Sequence, residues 1–117
     1  MNKYVFKICT LEEWKKALKK GIYQGSNMDK KDGFIHLSTK PQVKDTLKMY
    51  FKNINNLCLL KIHTKDLEIL FEKSRNAEYF PHLYNTFKTT CVHKVYPLKL
   101  KNDGSHVLPN FNTINKC

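Results

Sequence analysis

The chain has 117 residues, 41% of them hydrophobic, and a formal net charge of +11. A chain of this length and apolar content predicts one domain that buries about two-thirds of its unfolded surface, which excludes disorder and removes any need for disulfide staples. No stretch reaches the roughly 18 apolar residues of a membrane span, and the start, MNKYVF, lacks an apolar leader, so a cytoplasmic, monomeric protein with no membrane association is expected.

The positive charge has two readings. It could mark a surface for RNA, because phosphate neutralisation dominates nucleic-acid affinity. Yet 20 of the 21 basic residues are lysine, and there are 11 asparagines. Both residue types have AT-only codons, and the lysines are spread along the chain, so a compositional bias explains the charge without an anionic partner.

Tyr4 to Cys9 reads as a first strand. Thr10 and Glu13 then form a capping box, and Leu11, Trp14, Ala17 and Leu18 define the inward face of a helix over 11–20 that stops at Gly21. Residues 22–33 are expected to be a loop ending in the Asp32-Gly33 turn signal. Phe34 to Leu37 is a short strand, followed by Ser38 or Thr39 as the cap of a second helix with Pro41 in its first turn. Val43, Leu47, Tyr50 and Phe51 form that helix's apolar stripe. Leu57 to His63 is almost continuously apolar at its start, as in a central strand.

Beyond it, Thr64 to Leu67 suggests a short helical turn and Ile69 to Glu72 a further strand. Residues 73–90 are expected to be a long irregular loop carrying EYFPHLYN. Cys91 to Tyr96 alternates as a strand that Pro97 should end, and Ser105 to Leu108 suggests an edge strand. The pattern is a single α+β domain over 1–109, with a flexible tail over 110–117. Cys9, Cys58 and Cys91 lie in apolar runs and should be buried thiols. The five histidines show neither helical pairing nor a cysteine cluster, so no metal site is expected.

Three places carry candidate chemistry. In the strand at 34–37, alternation puts Ile35 and Leu37 on one face and Phe34 and His36 on the other. His36 is then either a hydrogen-bonded structural histidine or a ligand-facing acid–base group, with Ser38 and Thr39 at a helix start that could take a phosphate or carboxylate. In the second place, Tyr79, His82 and Tyr84 crowd around a proline, either plugging the core or walling a pocket. In the third, Arg75 is the only arginine of a lysine-rich chain. Its planar fork suits a carboxylate or phosphate, and Glu72 is its expected partner or a ribose-orienting carboxylate.

DGFIHLST with the Gln-Val pair that follows it, the LLKI strand, FPHLY and the closing DG…LP together resemble the bacterial DUF952 family, over about residues 3–109. Trp14 and the Gly21–Tyr23 segment also fit, which adds Tyr23 to the ligand-facing set. This chain has Asn85 where the family usually has glycine after FPHLY, and Lys7 where many relatives carry a histidine. At fold level, the order of strand, Trp-bearing helix, loop and IHLS is similar to RNA 2′-phosphotransferases and other ADP-ribosyltransferase-like domains.

That resemblance implies a split, mostly antiparallel sheet with two main helices around a nucleotide cleft. It implies a ligand such as NAD, ADP-ribose or a phosphorylated RNA end, with His36, His82 and Arg75 as catalytic candidates. Phe34, Ser38, Thr39, Tyr23, Glu72, Tyr79 and Tyr84 are then ligand-binding candidates. The alternatives are a non-catalytic module for a small molecule or peptide, and a basic RNA-binding domain.

Overall fold

A computed structural model describes residues 3–110. The expected tail beyond residue 110 lies outside the described residues. Eight strands and three helices follow in chain order: β1 (Tyr4–Thr10), α1 (Leu11–Lys20), β2 (Ile22–Tyr23), α2 (Asn27–Asp32), β3 (Ile35–His36), α3 (Val43–Tyr50), β4 (Leu57–His63), β5 (Leu70–Lys73), β6 (Tyr79–Leu83), β7 (Phe87–Lys88) and β8 (Val92–Leu98). Short 3₁₀ turns precede α3, β6 and β8.

All pairings are antiparallel. One sheet has the order β1-β4-β8 and another β3-β6-β5, with β2 and β7 paired separately. Phe6 and Ser38 exchange both backbone hydrogen bonds, at 2.8 Å each, and this bridge joins β1 to the chain just after β3. The result is a small α+β domain whose sheet is split: the two halves touch at Phe6–Ser38 and are otherwise separate ladders.

β4 is apolar on both faces because both are covered. Cys58, Leu60 and Ile62 pack with Val5 and Cys9 of β1 against Trp14 and Ala17 of α1 and against Ile35, Leu37 and Leu83. Leu57 and Leu59 pack with Phe6, Ile8 and Leu98 against Val43 and Leu47 of α3. Each large aliphatic or aromatic side chain among them contributes about 1.5–3 kcal/mol by leaving water. Lys7 breaks the pattern: it shares the inward face of β1 with Val5 and Cys9 and is only 5% exposed.

Several expectations need correction. Residues 22–33 are not a loop, because they hold β2 and the six-residue α2. α2 has no apolar stripe, and its ends make it: Ser26 and Asp29 form a capping box, and Gly33 closes it at φ +87°. FPHL is not part of an irregular loop but lies in β6, the middle strand of its sheet, with Phe80 to Leu83 buried. Pro81 disguises it, since a proline argues against a central strand. Pro97 does not end β8, which is an edge strand and tolerates a missing N–H.

Thr64–Leu67 closes as a single hydrogen-bonded turn, whereas Ser105–Leu108 supplies only a bridge from His106 to Leu100. Leu18 and Tyr50 are exposed despite their helical spacing, since each lies at the flank of a stripe whose centre fills the available sheet surface. Cys9 and Cys58 are buried across from each other, with sulfurs 3.6 Å apart, whereas Cys91 is only half-buried. Among the described residues no helix is long and apolar enough to cross a membrane.

Candidate functional site

A cleft of about 560 Å³ opens at the split between the two half-sheets. It is lined by His36 and Ser38 from the β3 segment, His82 and Phe80 from β6, Arg75, Lys7 of β1, Asp29 and Asp32 of α2, and Thr46 and Tyr50 of α3.

Asp29 organises one wall. It is 2% exposed, and donors surround its carboxylate. Oδ2 accepts from Lys7 Nζ at 2.8 Å and from the Ser26 amide at 2.9 Å. Oδ1 accepts from the His36 amide at 3.1 Å and faces His36 Nδ1 at 2.6 Å. Burial alone would push this carboxyl up. The hydrogen bond from His36, the charge and hydrogen bond of Lys7 and the Ser26 amide outweigh it, and the group sits well below the usual carboxylate range. Gly25 makes the approach feasible: its φ is +99°, and a Cβ there would stand 2.8 Å from Asp29 Cβ.

His36 is then used at both ring nitrogens. Nε2 lies 3.0 Å from Asp32 Oδ2, opposite the Asp29 contact. Ionised carboxylates only accept, so both contacts are hydrogen bonds when each nitrogen carries its proton. Lys7 Nζ also donates to the His36 carbonyl at 3.1 Å, tying β1 to β3 beside the bridge.

His82 is held differently. Its Nδ1 lies 2.8 Å from Glu72 Oε1 on β5, and the same oxygen accepts from the Tyr84 hydroxyl at 2.7 Å. Those two hydrogen bonds, Tyr84's the larger influence, hold the Glu72 carboxyl below its ordinary value, and Glu72 in turn pushes the Tyr84 phenol up. Phe34 packs in the middle of this wall, its ring 4.1 Å from that of His82, 4.5 Å from His36 and 5.1 Å from Tyr84. His82 Nε2 has no hydrogen-bond partner among the described residues, and the residue lines the cleft.

Arg75 faces them. Its guanidinium lies over Phe80 at 4.5 Å and Tyr50 at 5.4 Å, and one N–H donates to Thr46 Oγ1 at 3.2 Å. Thr46 is 3.3 Å from Ser38 Oγ, so guanidinium and two hydroxyls form a chain. The turn that presents Arg75 is strained: Asn76 and Ala77 both have positive φ, +56° and +61°. For alanine this costs about 1–2 kcal/mol.

The structure thus brings His36, His82, Arg75 and Ser38 to one cleft, with Phe34 packed between the two histidines. Glu72 and Tyr84 stand behind His82, and Glu72 pairs with it and not with Arg75, because the β5–β6 register sets Leu70 opposite His82 and leaves Glu72 within reach. Three candidates lie elsewhere. Tyr23 is buried in the core, stacked 5.1 Å from Phe87, with its hydroxyl unpartnered among the described residues. Tyr79 is 56% exposed outside the cleft and supplies only its carbonyl, to Gln42 Nε2. Thr39 opens the turn before α3, where its N–H is taken by Gln42 Oε1 at 2.9 Å.

Lys7, Asp29, Asp32 and Thr46 are cleft residues that motif reading missed. The legible signals were a lysine in the middle of an otherwise apolar strand and a Ser-x-x-Asp capping box inside an apparent loop.

The family model for a protein of unknown function, DUF952, matches residues 8–95. The crystal structure of protein CC0527 from Caulobacter crescentus is similar at 34% identity, covering 90% of this chain and 94% of that one, with a TM-score of 0.85. The solution structure of CC0527 gives 35% identity, 89% and 91% coverage and a TM-score of 0.79. No curated protein matches the chain.

Proposed function

We propose that this chain, which belongs to the DUF952 family of proteins of unknown function, binds a nucleotide-type ligand in the cleft at its split sheet. The observation that carries the reading is the convergence of Arg75, His82, His36 and Ser38, drawn from separate segments of the chain, on one concave surface. Arg75 has no carboxylate partner among the described residues. With one N–H used on Thr46 and its plane held by aromatic rings, the rest of its fork is preorganised for a phosphate.

Ser38 supplies a hydroxyl suited to a sugar, while Thr46, which donates to the Gln42 carbonyl, holds the guanidinium in place. On the opposite wall, the part-exposed Asp32 carboxylate beside His36 offers a site for the cationic or hydrogen-bond-donating part of the ligand. A phosphate site near one wall and a cation site near the other suit the nicotinamide half of NAD, in which a ribose separates the pyrophosphate from the cationic ring. The expected fold-level likeness to ADP-ribosyltransferase-like domains favours the same ligand and, as the enzymatic form of the reading, ADP-ribose transfer. The net charge of +11 would speed the arrival of any such anion.

Calorimetry with NAD, ADP-ribose and a phosphorylated oligoribonucleotide tests the reading. Binding of at least one is expected, weakened at least ~10-fold by Arg75→Lys, because lysine cannot reproduce the bidentate fork. Absence of binding for all three at millimolar concentration overturns it.

A further inference from the structure

The two histidines of the cleft are in opposite states of use. His36 has a carboxylate at each ring nitrogen and no site left. His82 has one carboxylate, on Nδ1, and an Nε2 with no partner among the described residues. A carboxylate only accepts, so Glu72 takes an N–H from Nδ1, and in the neutral ring the lone pair then resides on Nε2. The ring cannot swing freely: Phe34 lies 4.1 Å from it, and Tyr84 fixes the same Glu72 oxygen. A buried imidazole oriented by a carboxylate, its second nitrogen without a partner among the described residues and the residue lining a cleft, has the arrangement of a general base.

We propose that His82 is the proton acceptor of this cleft, acting on a hydroxyl, that of water or of an acceptor alcohol, which attacks the ribose carbon of the bound nucleotide. Glu72 is its positioning residue. The proposal rests on the nucleotide reading above.

For NAD and water, an O–H bond of water breaks and its proton goes to His82 Nε2. The oxygen's electron pair forms a bond to ribose C1′. The C1′–N bond breaks, and its pair stays on the nicotinamide nitrogen, which becomes neutral. The imidazolium so formed faces the Glu72 carboxylate, with His36 of β3 5.9 Å away between Asp29 and Asp32, Tyr84 beside Glu72 and the Arg75 cation lining the same cleft.

The experiment follows nicotinamide release from NAD by the full chain, together with ADP-ribose affinity and the His82 tautomer by ¹⁵N NMR. The neutral ring is expected to carry its proton on Nδ1. His82→Asn, whose amide can still donate to Glu72, should lower the release rate at least ~100-fold and change ADP-ribose affinity little. Glu72→Gln should lower kcat by about tenfold at unchanged KM and raise the share of the Nε2–H tautomer.

If ADP-ribose binds and His82→Asn releases nicotinamide as fast as the parent, the proposal is overturned and the nucleotide reading stands. A dominant Nε2–H tautomer overturns it in the same way, as does a parent chain that binds ADP-ribose and releases no nicotinamide. Failure of both NAD and ADP-ribose to bind overturns this step together with the NAD form of the nucleotide reading.

Discussion

The two ends of the cleft wall each pair a histidine with carboxylate, yet they are built for different purposes. Around His36 the set is closed: Lys7 faces Asp29, and the two ring nitrogens of His36 face the carboxylates of Asp29 and Asp32. Around His82 the set is open: Glu72, itself held by the Tyr84 hydroxyl, satisfies one nitrogen, and the other has no partner among the described residues. The closed set is also the more deeply buried at its centre, since Asp29 lies inside the domain while Glu72 sits near the surface. A closed, buried set ties β1, α2 and β3 together. An open one leaves a nitrogen for chemistry. Mutations should therefore separate the two, with the closed set governing stability and the open set governing what the cleft does.

The largest effect on stability is expected from Asp29→Ala. It leaves Lys7 buried without its counter-charge, and removing one partner of a buried pair costs about 3–5 kcal/mol. Urea denaturation measures it, and a loss under ~1 kcal/mol would erase the distinction between the two sets.

Gly25→Ala should cost more than ~1 kcal/mol, because alanine must adopt φ +99° and its Cβ would press on Asp29. Amide signals of α2 and His36 should shift together in the same variant.

Acid should draw a larger loss of stability from the closed set than from the open one. The Asp29 carboxyl is depressed in the folded chain, so its contribution is complete above its unfolded pKa, about 3.9, and fades as pH falls toward the folded value. The urea midpoint should fall more steeply below about pH 4 in the parent than in Asp29→Asn. Equal slopes would show that Asp29 is not the group responsible.

The smallest change in stability is expected from Tyr84→Phe. Its hydrogen bond to Glu72 is at an exposed site, so thermal denaturation should show the smallest shift of these variants. The His82 ring signals should nevertheless move, since Glu72 loses its second donor.

Much of the fold was readable residue by residue. The Thr10–Glu13 capping box, the Gly21 stop, the doubly apolar β4 and the inward Ile35 and Leu37 are local patterns, set by helical and strand periodicity and by cap chemistry, which act over a few residues. They place His36 beside Phe34 without any knowledge of the fold. The charge partners were not readable. Lys7 and Asp29 are distant in sequence and meet only because the β1–Ser38 bridge brings α2 over the first strand. Glu72 goes to His82 and not to Arg75 through the β5–β6 register. Periodicity says which face a side chain takes, and only strand pairing says what stands on the other side. That is why the sequence alone determined most of the elements and the outward set of Phe34 and His36, while tertiary structure decided which histidine was sealed and which was left open.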